Sequence, residues 1–243
     1  MSALFEELDY QVTPFGTLIL RRRRDLAAGG DIYEIKLNDE FLMSSKFTAS
    51  EEALGRLALA NLAQSGLRVV VGGLGLGYTA VAALQSPNVR SMVIIDAMKP
   101  VIEWHENGLL PLGNVLTTDK RCRFVHGDFF EMAASPETGF DPLNPRSRYH
   151  AILLDIDHSP HEVLKPSNAS LYTFQGLRKL SEHLEPKGVF ALWSNNPEDE
   201  EFTEVLRSVF GVARAEPVVF HNPLQNREAR QCVYIARKVE GTA

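Results

Sequence analysis

The sequence predicts an α/β fold in which a mostly parallel, seven-stranded sheet is covered by helices on both faces and preceded by a small β-rich segment. Three observations support this prediction. The apolar run from Leu67 to Val71 is continuous, which is typical of a strand buried on both faces. Gly72, Gly73, Gly75 and Gly77 follow this run, and a helical pattern begins directly after them. Beyond this point strand and helix patterns alternate, as they do in a series of right-handed crossovers.

Composition limits the classes of function. At 243 residues, of which 44% are hydrophobic, the chain is long enough to bury a large core. A formal net charge of −6 argues against general nucleic-acid or anionic-membrane binding, which depends on clustered Lys and Arg. The two cysteines lack metal-ligand spacing, so we expect no metal site and a reducing compartment. No apolar run approaches the ~20 residues of a membrane span, and the acidic N-terminus is unlike a signal peptide. We therefore expect a cytoplasmic protein without membrane or nucleic-acid partners.

Residues 1–48 are expected to form the β-rich segment and residues 49–243 the larger unit. Three short strands are predicted between turns at residues 28–31 and 38–39, namely Gly16 to Arg22, Ile32 to Leu37 and Phe41 to Ser44. Arg21 to Arg24 form the one dense basic run. We interpret this run as a solvated strand end rather than a phosphate site, because Asp25 and Asp31 lie beside it and no aromatic residue is interleaved.

The larger unit is predicted to begin with a helix from Thr48 or Ser50 to Gly66. Further helices are expected at Tyr78 to Leu84, Ser170 to His183 and Glu200 to Phe210. The other predicted strands are Ser91 to Ile95, Cys122 to His126, Ala151 to Leu154 and Gly188 to Ser194, with a terminal antiparallel pair, Ala213 to Phe220 and Gln231 to Lys238, joined through Asn222-Pro223. Residues 133–148 are expected to form a surface excursion.

The glycine-rich stretch has the features of a nucleotide cradle. Glycines let the backbone turn sharply and let a ligand approach closely, and the free N–H groups of the following helix face that ligand. Asp96 follows the next strand, nineteen residues after Gly77, where a carboxylate can accept hydrogen bonds from ribose hydroxyls. Asp128 and Asp155 follow two further strands at the same edge of the sheet. The candidate cofactor-binding residues are therefore Gly72, Gly73, Gly75, Gly77, Asp96 and Asp128.

The motifs between Arg68 and Ser194 together resemble the Rossmann-like class I S-adenosylmethionine-dependent methyltransferase fold, and within it the polyamine aminopropyltransferase (spermidine synthase) family. The motifs that carry the resemblance are Val71-Gly72-Gly73 through Gly77, Ile95-Asp96, Val101-Ile102-Glu103-Trp104, Leu110-Pro111-Leu112, Gly127-Asp128, Tyr149 to Asp155 and Leu171-Tyr172. The resemblance implies S-adenosylmethionine, or decarboxylated S-adenosylmethionine, as the cofactor. It also implies that Asp96 holds the ribose, Asp128 the adenine amino group and Asp155 the acceptor amine.

The sequence departs from the family pattern at two places. The family's glycine loop carries an acidic residue that faces the amino group of the sulfonium ligand, and Gly75 stands in its place. The family's tyrosine-histidine pair after the N-terminal strands has no equivalent in Ser44-Ser45-Lys46-Phe47. Because both changes remove polar groups from an amine-recognising site, methyl transfer to a small-molecule acceptor is the favoured interpretation. Aminopropyl transfer from decarboxylated S-adenosylmethionine and a non-catalytic nucleoside-binding module are the alternatives.

Asp155 and Asp157 are the candidate catalytic residues, because either carboxylate could bind an acceptor ammonium and take its proton. His158 and His161 follow closely and are further candidate bases. A nicotinamide-dependent dehydrogenase would share the glycine loop and Asp96, but it gives no reason for the other carboxylates. A nucleic-acid methyltransferase is disfavoured by the acidic composition. An amine is considered as the acceptor, and a homodimer is one of the oligomeric states left open.

Overall fold

The computed structural model describes residues 4–26, 29–38, 40–60, 62–222 and 227–239. Parts of the predicted turns, at residues 28, 39 and 223, lie outside these ranges. Within them the chain forms a four-stranded sheet and then a seven-stranded sheet flanked by helices, which confirms the predicted α/β class.

The N-terminal sheet is antiparallel, and its strands are neighbours in chain order. It consists of β1 (Phe5–Thr13), β2 (Gly16–Arg24), β3 (Asp31–Leu37) and β4 (Glu40–Ser44). The sequence does not indicate β1, because its apolar and charged residues are mixed and none of them is fully buried. Leu18, Leu20 and Ile35 point inward and share an apolar core with the larger sheet.

The seven-stranded sheet has the spatial order β10-β11-β9-β8-β5-β6-β7. Its strands are β5 (Leu67–Gly72), β6 (Val89–Asp96), β7 (Cys122–His126), β8 (Tyr149–Leu154), β9 (Leu184–Ser194), β10 (Gly211–Asn222) and β11 (Arg227–Lys238). Strands β5 to β9 are parallel, and β11 runs antiparallel between β9 and β10. In central strand β5, Val69 and Val71 pack into one core and Val70 into the other. This burial on both faces explains the continuous apolar sequence of β5.

Helices cover both faces of this sheet. They are α1 (Ala49–Ala60), α2 (Tyr78–Leu84), α3 (Lys99–Glu106), α4 (Gly113–Thr118), α5 (Phe129–Ala133), α6 (Phe174–Glu182) and α7 (Glu200–Phe210), with a 3-10 turn at Pro166–Ser170. Helices α1 to α4 pack into one core and α5 to α7 into the other. Among the described helices, none combines the length and the apolar content that crossing a bilayer requires.

Two predicted helix boundaries are wrong. Helix α1 ends at Ala60 rather than Gly66, and the Leu62 amide closes a tight turn onto the Leu59 carbonyl. The helix predicted from Ser170 to His183 is shorter, because α6 runs only from Phe174 to Glu182 and Ser170 is the last residue of the preceding 3-10 turn. The later start occurs because the Thr173 hydroxyl accepts a hydrogen bond from the Gly176 amide (3.1 Å) and so begins a new helix.

Candidate active site

A cavity of about 320 Å³ lies where strands β5, β6 and β8 end. The N-terminal sheet and the turns beside its strands form the roof of this cavity, through Pro14, Phe15, Leu37, Leu42 and Met43. Its floor is the glycine-rich loop after β5. The carboxyl-terminal edge of the parallel strands, where ligands of such sheets bind, is thus enclosed between the two sheets.

Three of the four predicted glycines line the cavity, and Gly72 does not. Gly73 has a φ of +93°, and a Cβ there would overlap the carbonyl oxygen of Asp155. Only glycine combines this φ with so close a backbone approach. Gly72 instead ends β5 beneath the Phe129 ring, where a Cβ would clash with the aromatic carbons. Gly72 therefore serves packing, whereas Gly73, Gly75 and Gly77 form the cavity wall.

Strand β4 contacts the glycine loop directly through Met43. The Met43 sulfur occupies the space that a side chain at Gly75 would need, and it accepts a hydrogen bond from the Leu76 amide (3.2 Å). On the opposite side of the loop, His105 Nε2 lies 2.8 Å from the Gly75 carbonyl oxygen. The loop position that is acidic in the family pattern is therefore closed over by a thioether from the other sheet.

Asp96 is the last residue of β6, and its carboxyl group ties the glycine loop to that strand. One oxygen accepts a hydrogen bond from the Leu74 amide (3.0 Å), and the other from the Met98 amide (2.8 Å). Burial raises the pKa of Asp96, while the hydrogen bonds from these amides act in the opposite direction. The residue lies at the cavity wall, as a ribose acceptor must, and it also has a structural function.

Asp128 caps helix α5 and lines the same wall. Its Oδ1 accepts hydrogen bonds from the amides of Phe130 (2.9 Å) and Glu131 (3.3 Å). Its Oδ2 is 3.2 Å from Lys165 Nζ, which lies 4.2 Å from the centre of the Phe15 ring. Lys165 is the only lysine or arginine among the described residues that line the cavity.

Asp155 faces the cavity together with Glu51, which the sequence analysis did not select. The Thr79 hydroxyl donates a hydrogen bond to Asp155 Oδ2 (2.5 Å) and lies 3.2 Å from the Glu51 carbonyl oxygen. Glu51 is only 8% exposed, and the Ser50 hydroxyl donates to its Oε2 (2.7 Å). Helix α1 and strand β8 thus bring two carboxyl groups to one wall.

Burial changes the acidity of both members of this pair. Burial raises the pKa of Glu51, and the negative charge of Asp155 raises it further. Burial also raises the pKa of Asp155, while the hydrogen bond from Thr79 lowers it. The two groups therefore retain protons at pH values at which exposed carboxyl groups are ionised, unless a cation lies beside them.

Asp157 does not line the cavity, unlike Asp155 two residues earlier. Its side chain is 1% exposed and accepts hydrogen bonds from the Leu164 amide (2.7 Å), Asn168 Nδ2 (2.9 Å) and the Tyr172 hydroxyl (2.7 Å). The carboxyl group of Asp157 thereby holds together the loop that carries Leu164, Lys165 and Asn168 to the cavity.

The two candidate histidines differ in position. His158 lines the cavity, whereas His161 is largely exposed and its Nε2 lies 2.7 Å from Asp199 Oδ2. The cavity also contains Trp193, at the end of β9. Neither Glu51 nor Trp193 carried a sequence signal, because a glutamate in the first turn of a helix is ordinary dipole compensation and a tryptophan in a strand is an ordinary core residue.

Solved structures of other proteins share this architecture. Spermidine synthase from Thermotoga maritima superposes with a TM-score of 0.71 and 15% identity over 98% of this chain and 74% of that one. The chain has the spermidine synthase fold. A spermidine synthase in complex with the transition state analogue AdoDATO gives a TM-score of 0.70 at 14% identity, covering 98% of this chain and 73% of the other.

A third structure with the spermidine synthase fold, a probable spermidine synthase from Corynebacterium glutamicum, gives a TM-score of 0.60 at 14% identity. The match covers 96% of this chain and 79% of that one. No protein-family model matches the sequence. These structural matches establish the fold.

Proposed function

We propose that the protein is a transferase that moves an aminopropyl group from decarboxylated S-adenosylmethionine to an amine. The observation that carries this proposal is the charge of the cavity. Among the described residues, four carboxyl groups line it, from Glu51, Asp96, Asp128 and Asp155, against one cation, Lys165, which already pairs with Asp128. Such a cavity favours ligands with positive charge and disfavours ligands with a carboxylate.

The nucleoside half of the donor fits the wall formed by the glycine loop. Gly73, Gly75 and Gly77 line this wall, and the space that a Cβ at Gly73 or Gly75 would need is filled by the Asp155 carbonyl oxygen and the Met43 sulfur. We assign the ribose to Asp96 and the adenine amino group to Asp128, at the ends of adjacent strands. Both carboxyl groups line the cavity and are already oriented by backbone amides, so little ordering would be needed on binding.

Glu51 supports aminopropyl transfer over methyl transfer. The sequence-based preference for methyl transfer depended on the loss of a carboxylate at Gly75, but helix α1 supplies a carboxyl group to the same cavity through Glu51. The carboxylate of intact S-adenosylmethionine would face this group without a free cation to pair with it among the described lining residues. When the positive charge of the donor lies beside Glu51 and keeps it ionised, a second carboxylate about 4 Å away is repelled by ~4 kcal/mol at an effective dielectric of 20. The decarboxylated donor keeps the ammonium and lacks the carboxylate, so it would be attracted without this repulsion.

The chemistry requires alignment and one proton acceptor. When bound, the donor supplies a carbon on a positively charged sulfur; transfer forms a bond from the acceptor nitrogen to that carbon, breaks the carbon–sulfur bond and leaves a neutral thioether. The acceptor ammonium must first lose a proton, and Asp155 is positioned to take it because Thr79 fixes its carboxyl group. Alignment in a closed cavity can supply ~7–11 kcal/mol of barrier lowering without a strong acid or a metal.

Titration with intact and decarboxylated S-adenosylmethionine in parallel tests this proposal. We expect the decarboxylated form to bind about tenfold more tightly or better, which is about 1.4 kcal/mol. Glu51→Gln should reduce the difference in affinity between the two forms. Glu52→Gln should not, since Glu52 pairs with Arg56 on the adjacent surface (3.1 Å). Mass spectrometry should find methylthioadenosine as the thioether product. Tighter binding of the intact form, with a methylated acceptor, would return the assignment to methyl transfer.

A further inference from the structure

We infer that the acceptor is an amine whose far end carries a carboxylate, rather than a simple diamine. This inference rests on the proposed function, because it assumes that the amine end of the acceptor lies at Asp155 and Glu51. It concerns a second chamber beside the cavity, between the N-terminal sheet and the ends of β9 and β11.

The second chamber has a volume of about 560 Å³ and adjoins the cavity. The two spaces share five lining residues, which are Leu42, Met43, Glu51, His158 and Trp193. Glu51 therefore stands at the junction between them. A molecule whose amine reaches the carboxyl pair from this side would have its remaining atoms in the second chamber.

The charge of the second chamber is opposite to that of the cavity. Among the described lining residues that the cavity does not share, there are three cations, Arg21, Arg23 and Lys46, and one carboxylate, Glu34. Arg21 Nε and Arg23 Nε donate to different oxygens of Glu34, at 2.6 and 2.7 Å. Lys46 Nζ pairs with Asp25 Oδ2 at 2.8 Å, and Asp25 does not line the chamber. One buried carboxylate thus serves two guanidinium groups, and the only other carboxyl group among the described lining residues is Glu51, at the junction with the cavity.

The two arginines have donors to spare. A guanidinium carries five N–H donors, and each of these side chains uses its Nε for Glu34. Within the described part of the chain, their terminal nitrogens have no hydrogen-bond partner. Arg21 is also held over the rings of Phe5 and Phe41, at 5.7 and 5.2 Å. Guanidinium groups with free terminal nitrogens are suited to binding a carboxylate through two hydrogen bonds.

This arrangement corrects the interpretation of the basic run as a solvated strand end. Arg21 and Arg23 alternate with Arg22 along β2, so they share one face of the strand. That face is turned to the chamber, whereas Arg22 pairs with Glu6 on β1 (2.5 Å) and does not line it. The side chains of Arg21 and Arg23 are 24% and 31% exposed, so their charges are only partly screened by water.

Two uncharged side chains in the same chamber also have unsatisfied polar atoms. Trp193 Nε1 and Gln231 Oε1 are buried and have no hydrogen-bond partner among the described residues. Buried polar atoms are almost always paired, so an unpaired donor and an unpaired acceptor beside one chamber indicate a missing polar group. A carboxylate would accept from the indole N–H, and an amino group beside that carboxylate would donate to Gln231.

The test compares acceptors that match in length and differ at the far end. The pairs are putrescine with γ-aminobutyrate and cadaverine with δ-aminovalerate, with ornithine and lysine added to supply an amino group beside the carboxylate. Binding is measured by calorimetry with the protein saturated with methylthioadenosine, and turnover by methylthioadenosine release from the decarboxylated donor. We expect the carboxylate-bearing member of each pair to bind about tenfold more tightly or better than the diamine.

Arg23→Gln should weaken binding of the carboxylate-bearing acceptors by about tenfold or more and leave the diamines unchanged or improved. Arg21 still pairs with Glu34 in this variant, so the fold should survive. Arg22→Gln, one residue away and outside the chamber, is the matched control and should change neither class. The inference would be overturned if the unaltered protein bound diamines more tightly and Arg23→Gln did not change that preference. Failure of the proposed function would be seen separately, as absence of binding by the decarboxylated donor.

Discussion

At the scale of single residues, the proposed chemistry depends most on the carboxyl groups of Asp155 and Glu51. Glu51 is buried, Asp155 is partly buried, and both face one cavity, where the charge of Asp155 makes Glu51 harder to ionise. A protein that carries such a pair loses stability whenever both groups are forced to ionise without a cation between them. The free energy of unfolding should therefore report on the pair before any acceptor is known.

Stability should fall as the pH rises. The folded-state pKa of each group is raised above its unfolded value. The contribution of the pair to the free energy of unfolding is therefore fully present below the unfolded pKa, and it is lost as the pH rises through the folded pKa. Between about pH 5 and about pH 8 the unaltered protein should lose roughly 1–3 kcal/mol relative to Glu51→Gln, since one pKa unit corresponds to about 1.4 kcal/mol. Urea unfolding at both pH values measures this difference. Parallel pH dependence in the two proteins, with Glu52→Gln as control, would disprove the coupling.

Thr79 is a positioning residue whose hydroxyl holds Asp155 in place. We expect Thr79→Val, which keeps the shape but removes the donor, to lower kcat by roughly 1.5–3 kcal/mol in barrier terms, because the hydrogen bond is to a charged group. Donor affinity should change little, and Thr79→Ser should restore most of the rate. Steady-state kinetics separates kcat from KM. An equal loss in Thr79→Ser would show that the methyl group matters rather than the hydroxyl.

The residues that line the cavity could be predicted from the sequence where a strand end fixes the position of a side chain. Asp96, Asp128 and Asp155 all line the cavity for that reason. Glu51 could not be predicted, because only the packing of α1 against the sheet brings it there. The sequence also could not predict that Arg21 and Arg23 face the second chamber, because their partner Glu34 lies on another strand, thirteen residues from Arg21.

At the scale of elements, the glycine loop and strand β6 are joined by the carboxyl group of Asp96. Asp96→Ala removes the acceptor of two backbone amides as well as the proposed ribose acceptor. We expect donor affinity to fall by ~1–3 kcal/mol and the free energy of unfolding to fall by a similar amount. Calorimetry and urea unfolding measure the two effects. Unchanged affinity in a folded variant would remove Asp96 from the proposed nucleoside site.

Element boundaries could be predicted where a local signal decides them. Helix α7 and strand β7 occur at the predicted residues, because Asp199 caps the first and an apolar run defines the second. The limits of α1 could not be predicted, since the chain leaves that helix to enter β5 without a breaker residue at the point of exit. Strand β1 is held by its pairing with β2 rather than by a pattern of its own.

At the scale of the whole molecule, the cavity joins both sheets and residues far apart in the chain. A ligand that binds only the assembled cavity should stabilise the fold by ~2.7 kcal/mol at 100 times its dissociation constant. We expect the decarboxylated donor or methylthioadenosine to raise Tm and NAD to leave it unchanged. Differential scanning calorimetry measures these shifts. A rise with NAD alone would mean that the cavity holds a dinucleotide.

The position of β11 has a consequence for how the chain is made. Strand β11 is inserted between β9 and β10, although it follows both of them in the sequence. On the ribosome, the edge of β9 therefore has no partner until residues 227–238 have been synthesised. An unpaired apolar edge can add a strand from another chain, so nascent or truncated chains should be prone to aggregation. Slow passage of the ribosome through this last segment would lengthen the period in which β9 is exposed.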